Sequence, residues 1–297
     1  MRVYKILSLE DNFKVTEFPD GQIYVEILDH LEIDDSDIKF VFKPKSSNDF
    51  IALMQAVDII DNLQQVRSHR ILFMPYLMGA RSDRRFNERS ALSVMTYANI
   101  INSLGFDKVE ILNPHSSVST ALIKNLKVLD SSEQRIEVLN FLEEQTEILN
   151  ILSPDKGASD KVLKIYHELN AICKNPPEYL MLDYPIRIGE FLECSKSRAA
   201  NGDITGVKLP QNISKKLEGD IIIFDDICDG GRTFIVLAEE IRKTGFKGKL
   251  FLYIDHAIMS KGLQPLFEHF EYVFTTDSTG RFSGGEHEKR LISYGLI

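Results

Sequence analysis

One passage constrains the fold more than any other: Ile221-Ile222-Ile223-Phe224-Asp225-Asp226-Ile227-Cys228-Asp229-Gly230-Gly231-Arg232-Thr233. Four bulky apolar residues in a row read as a strand covered on both faces, as in parallel sheets packed between helices. Two carboxylates end the apolar run, a glycine pair follows, and an amphipathic stretch begins at Phe234. Strand, loop and helix in that order predict a βα unit of an α/β sheet. Similar alternation runs along the rest of the chain. Predicted strands are Ile38–Phe42, Arg70–Met74, Val109–Leu112, Glu147–Leu152, Ile221–Phe224 and Lys249–Ile254. Predicted helices are Asn48–Gln65, Ser90–Leu104, Glu133–Glu144, Ser159–Asn170 and Phe234–Thr244. Ser47 and Ser90 stand as N-caps, and Gly105 and Gly245 follow helix ends.

At 297 residues the chain has room for two domains. The alternation occurs once before about residue 130 and again after about residue 146. Two similar α/β domains are therefore expected, 1–145 and 146–297, each with a mostly parallel central sheet flanked by helices. A net charge of -9 argues against a general nucleic-acid surface, so anions must bind where cations cluster. No apolar run approaches the roughly 20 residues of a membrane helix, and no signal-peptide pattern opens the chain. Three cysteines, Cys173, Cys194 and Cys228, have no metal-like spacing, which fits a reduced, cytoplasmic setting.

The chemistry of the opening passage follows from its order. Glycines at the carboxyl end of a strand let backbone N–H groups approach phosphate oxygens, and the next helix adds its dipole. Carboxylates beside a phosphate repel it unless they hold hydroxyls or a metal. Asp225 and Asp226 thus suit a sugar diol with Mg2+ nearby. The plainer alternative is an acidic turn that caps the following helix. A second anion site is expected at Pro75-Tyr76-Leu77-Met78-Gly79-Ala80-Arg81-Ser82-Asp83-Arg84-Arg85, where guanidinium forks suit phosphate oxygens. A solvated charge run is its plainer alternative. His115 follows a strand, Ser153-Pro154-Asp155-Lys156-Gly157 is also a good turn, and the polar stretch Ser195–Gly206 reads as a mobile loop carrying Lys196 and Arg198. No function is attached to the apolar turn Tyr184-Pro185-Ile186.

The passage at Asp225–Thr233 resembles the binding signature for phosphoribosyl pyrophosphate (PRPP) in type I phosphoribosyltransferases and PRPP synthetases, two acids followed after three residues by Thr-Gly-Gly-Thr. The arginine segment is similar to the synthetases' ATP-binding Ala-Arg-Gln-Asp-Arg-Arg. Phe18-Pro19-Asp20-Gly21-Gln22, Ser46-Ser47-Asn48-Asp49, Asn113-Pro114-His115, Ser153–Gly157, Lys196-Ser197-Arg198 and His256–Ser260 resemble further synthetase segments in the same order. The resemblance implies two domains of the type I phosphoribosyltransferase-like fold and a Mg2+-dependent pyrophosphokinase. It implies that Arg81, Ser82, Asp83 and His115 hold ATP, with adenine reached by Phe18, Asp20 and Gln22 of a neighbouring subunit. A homo-oligomer, at least a dimer, follows. His115 and Asp155 would serve the metal, and Lys196, Arg198, His115 and Arg81 would be catalytic. Asp225, Asp226, Asp229, Gly230, Gly231, Arg232 and Thr233 would bind the ribose phosphate. No nucleic acid or membrane partner is implied.

Gly230 stands where the family has its first threonine, and Arg232 where it has its second glycine. Either Arg232 replaces the lost donor for the phosphate of ribose 5-phosphate, or the loop accepts a larger anion. A variant branch of the family pyrophosphorylates ADP-ribose for NAD rebuilding, so both acceptors stay open. Ser82, Asn113 and Gln22 replace the family's glutamine, aspartate and glutamate. A non-catalytic regulatory homologue and a PRPP-consuming transferase are the competing classes. The first should lack the loop cations Lys196 and Arg198, and the second has no use for an ATP-binding first domain.

Overall fold

The computed structural model describes residues 3–85, 87–176, 186–198, 204–214, 216–282, 285–287 and 290–296, with backbone alone at 196–198, 204–205 and 285–287. Two compact units divide it, Met1–Asp130 with Ser278–Gly280, and Ser131–Asp277 with Arg281–Ile297. Each has a mostly parallel sheet with helices, as the alternation predicts. Division after Asp130 assigns residues 131–145, which the sequence pattern assigned to the first domain, to the second unit.

The first unit runs β1 (Lys5–Ser8), α1 (Leu9–Asn12), β2 (Phe13–Glu17), β3 (Ile23–Ile27), β4 (Ile38–Val41), α2 (Asn48–Leu63), β5 (Arg70–Phe73), α3 (Ser93–Ser103), β6 (Lys108–Leu112), α4 (Ser117–Leu122) and β7 (Leu126–Leu129). Its five-stranded sheet has the order β1-β4-β5-β6-β7, parallel throughout. β2 and β3 form a separate antiparallel hairpin. α2 buries Phe50, Leu53, Ala56, Val57 and Ile60, the stripe of an amphipathic helix on a sheet. Ser47 holds the N-cap position but makes no side-chain cap. The carboxylate of Asp49 instead accepts from the N–H groups of Lys45 (2.6 Å) and Ser46 (2.8 Å). The helix expected from Ser90 begins at Ser93, with Leu92 at the cap. Ser90 is occupied in a local turn, accepting from the Asn87 N–H at 2.9 Å. Gly105 and Gly245 take φ of 66° and 86°, as expected of helix-terminating glycines.

The second unit runs α5 (Ser132–Leu142), β8 (Ile148–Ser153), α6 (Lys156–Lys174), β9 (Arg187–Glu193), β10 (Ser195–Arg198), β11 (Ile204–Lys208), β12 (Asp220–Cys228), α7 (Arg232–Lys243), β13 (Leu250–Ala257), α8 (Gln264–Phe267), β14 (Tyr272–Thr276), β15 (Gly285–His287) and β16 (Leu291–Tyr294). The main sheet has the order β15-β16-β14-β13-β12-β8-β9, parallel except at β15–β16. Alternation along its central strands feeds two cores. Ile221, Ile223, Leu250, Leu252 and Ile254 pack with α7 residues Phe234, Leu237 and Ile241. Ile222, Phe224, Phe251 and Tyr253 pack with α6 residues Val162 and Leu169. A sheet buried on both faces is what the unbroken apolar runs require.

Two expectations change here. The strand expected to end at Phe224 continues to Cys228, because β13 keeps pairing with it through Cys228↔Ala257. The stretch 195–206, expected as a loop, contributes to an antiparallel pair, β10 with β11, in which the strands satisfy each other's backbone groups. Residues 199–203 lie outside the described residues, as do Tyr184 and Pro185 of the apolar turn.

Candidate active site

In the first unit, β5 and β6 are parallel neighbours, so the loops after them leave the same end of the sheet. The first loop carries Arg81, Ser82 and Asp83, and the second carries His115. Their roots are joined, since Met74 N–H donates to Glu110 O at 2.9 Å and Leu112 N–H to Pro75 O at 3.1 Å. The arginine loop is a series of tight turns, with Ala80 N–H on Leu77 O (3.2 Å) and Ser82 N–H on Gly79 O (2.8 Å). Gly79 has φ of 81°, and a Cβ there would lie 2.8 Å from the Tyr97 ring. Only glycine fits that turn. Arg81, Arg84 and Arg85 are exposed, and Arg85 reaches back to Ser90 O at 2.6 Å. Asn113 turns the chain out of β6 at φ of 36°, a conformation asparagine tolerates better than most residues. His115, exposed, follows two residues later.

Phe18, Asp20 and Gln22 lie apart from that sheet, at the turn of the β2–β3 hairpin. Phe18 N–H donates to Gln22 O at 2.8 Å, and Asp20 accepts from the Gln22 N–H at 3.1 Å. Phe18, 41% exposed, rests against Tyr24. A cavity of about 420 Å3, lined among others by Glu10, Asp11, Lys43 and Lys45, holds none of the expected site residues.

The second unit has a fork. β8 leads through α6 to β9 on one side of itself, and the chain later returns as β12 on the other. Such a reversal of strand order is where open α/β sheets bind ligands. β12 pairs with β8 only as far as Ile223↔Leu152, then continues with β13 alone. β8 meanwhile stays with β9 to Ser153↔Glu193. The strands part where β8 delivers Asp155 and β12 delivers Asp225 and Asp226. Continued alternation carries Asp225 toward the α7 face and Asp226 toward the α6 face. Lys161 of α6 meets Asp226 there at 3.0 Å. Asp225 Oδ1 accepts from the Asp226 N–H at 2.9 Å.

Beyond the fork, Gly231 caps α7 in the left-handed region at φ of 75°. Arg232 begins the helix exposed, and Thr233 follows it. Asp155 is the N-cap of α6, accepting from the Ala158 N–H at 3.0 Å. The segment is thus a helix cap rather than a free turn, and the carboxylate has a structural duty. Lys196 and Arg198 occupy alternate positions of β10.

Among the described residues no group of three or more His, Cys, Asp or Glu side chains is poised to hold a metal. Mg2+ is commonly held by one or two carboxylates, waters and substrate phosphates rather than an all-protein cage. Of the two expected metal residues, Asp155 offers the carboxylate oxygen of that mode, and His115, in the other unit, offers a nitrogen. Lys161 was not legible in sequence, being a lone lysine on a helix whose neighbours only the fold reveals.

A family model described as the N-terminal domain of ribose phosphate pyrophosphokinase matches residues 3–105. Over 252 residues the chain is 28% identical to the ribose-phosphate pyrophosphokinase of Sulfurisphaera tokodaii, covering 84% of this chain and 78% of the relative. The enzyme of Cereibacter sphaeroides is 27% identical over 252 residues, 83% of this chain and 67% of the other. Phosphoribosylpyrophosphate synthetase from Mycobacterium smegmatis superposes with a TM-score of 0.72 over 96% of this chain and 86% of its own, at 15% identity. That likeness shows the fold, two domains of the phosphoribosyltransferase-like type.

Proposed function

We propose, from a chain similar to ribose-phosphate pyrophosphokinases along most of its length, that the protein transfers the β,γ-diphosphate of ATP to the 1-hydroxyl of ribose 5-phosphate. The products are PRPP and AMP. One observation carries the reading: the fork at the carboxyl ends of β8 and β12, with an acidic pair on one prong and a glycine cradle beyond it.

The hydroxyl oxygen attacks the β-phosphorus, the bond from that phosphorus to the bridging oxygen of AMP breaks, and the hydroxyl proton passes to water. Such transfers depend on positioning and charge neutralisation. Asp225 and Asp226 accept hydrogen bonds from the ribose hydroxyls, and Lys161 tempers the charge of Asp226. The N–H groups of Asp229–Thr233 take the acceptor phosphate at the start of α7. Arg81, Ser82, Asp83 and His115 orient the ATP phosphates, and Phe18, Asp20 and Gln22 take adenine in a neighbouring subunit of a homo-oligomer. Lys196 and Arg198 neutralise the transferring group. Mg2+, held by His115 and by Asp155 in their respective units, would withdraw charge from the phosphates when bound.

A second reading, the same transfer to ADP-ribose, draws support from Arg232, an exposed cation on the first turn of α7. Purified protein, ATP and Mg2+ with either acceptor separate the two. AMP with ribose 5-phosphate supports the first reading, and AMP with ADP-ribose alone supports the second. No AMP with either overturns both and favours a non-catalytic role. K196A and R198A are each expected to lower the rate by on the order of 10²–10³, the usual cost of one lost donor to developing charge.

A further inference from the structure

We infer that Lys261 is an acceptor-binding residue, a cation that completes the phosphate cradle in the place left by the missing side chain of Gly230. The inference rests on the pyrophosphokinase reading for the identity of the acceptor, and concerns the phosphate carried on ribose C5.

The loop after β13 is fastened onto the cradle by its backbone. Ile258 N–H donates to Cys228 O at 2.8 Å, Met259 N–H to the same oxygen at 3.3 Å, and Ser260 N–H to Asp229 O at 3.2 Å. Met259 is held at φ of 50° and Gly262 at 75°, so the chain turns sharply on both sides of Lys261. The result sets the lysine stem against Gly230. A Cβ at position 230 would lie 3.2 Å from Lys261 Cγ and 4.0 Å from Ser260 Oγ. The stem thus stands where a larger residue at 230 would project.

Lys261 is exposed and makes no ion pair among the described residues. An ammonium on a four-carbon stem is a strong point charge for phosphate and rotates its donors freely. The glycine cradle offers backbone N–H groups but no hydroxyl at position 230. A lysine delivered from the adjoining loop supplies charge and donors together, while Arg232 stands exposed on the first turn of α7.

The test is binding, so that it reads without turnover. Calorimetry with ribose 5-phosphate and, in parallel, ADP-ribose should show K261A binding the preferred acceptor about 10- to 100-fold more weakly, the usual range for a charge-assisted contact. Affinity for ATP and the melting temperature should be unchanged, and K261R should restore most of the loss. Because Gly230 and Lys261 share one space, G230T should weaken binding by displacing the stem, and its loss should not add to that of K261A. Acceptor affinity of K261A within twofold of wild type overturns the inference. An equal loss for ATP does so too, since the lysine would then act on the fold. Wild-type binding of an acceptor without AMP release overturns the pyrophosphokinase reading and leaves the Lys261 measurement intact.

Discussion

At the scale of single residues, Gly231 joins two constraints that sequence inspection treats as one. Its φ of 75° needs a residue without a side chain, and a Cβ there would also lie 3.1 Å from Leu266 Cδ2. G231A should cost about 1–2 kcal/mol, the penalty of the left-handed region for an ordinary residue. Urea unfolding checks this, with G206A as control, because nothing lies within 4 Å of a Cβ at that position. Gly230 has no such backbone demand, and its value lies in what it leaves room for. The thiols sort similarly. Burial lifts Cys173 to about 11, while Cys194 and Cys228 are core residues at 0% and 1% exposure. Cys228 beside the cradle behaves as a small apolar residue, as its apolar neighbours imply.

Whole elements were legible where the apolar pattern was long, and their ends where a glycine took the left-handed turn. α2, α7, β5 and β6 fall within a few residues of expectation. β12 was read too short, because paired aspartates look like a strand end, whereas the ladder to β13 holds them in the strand. Backbone pairing outvoted side-chain propensity there. β10 and β11 escaped because mostly polar strands carry little periodic signal, whereas β2 and β3 do alternate, at Phe13 and Val15 and at Ile23, Val25 and Ile27, and were passed over. Asp155 shows an element and a candidate site sharing one side chain. D155A should lower stability by about 1 kcal/mol through the lost cap of α6. D155N keeps a capping oxygen and should hold the melting temperature near wild type. If Asp155 also serves the metal, AMP release by D155N falls while thermal unfolding stays put. Equal activity of D155N and wild type would reduce Asp155 to a cap.

For the whole molecule, acid is the informative stress. Glu110 on β6 is 6% exposed between Lys108 at 2.7 Å and Lys39 at 3.3 Å. Burial pushes its carboxyl up, but the two lysines outweigh that and hold it below the ordinary glutamate value. Asp107, desolvated yet bonded by the Arg70 N–H and by Arg67, is lowered in the same sense. A depressed carboxyl stabilises the fold above its unfolded value, about 4.3 for glutamate, and loses that contribution as pH falls through the folded one. E110Q should therefore melt lower than wild type at pH 7, with the gap closing toward pH 3. A gap independent of pH would show the ion pairs to be idle. The parting of β8 from β12 has a consequence of another kind. That crevice is cut by where two strands stop pairing, a property of connectivity, so exchanging the side chains around it leaves the crevice standing. A lineage that keeps this framework can change what the crevice admits by altering a few loop residues.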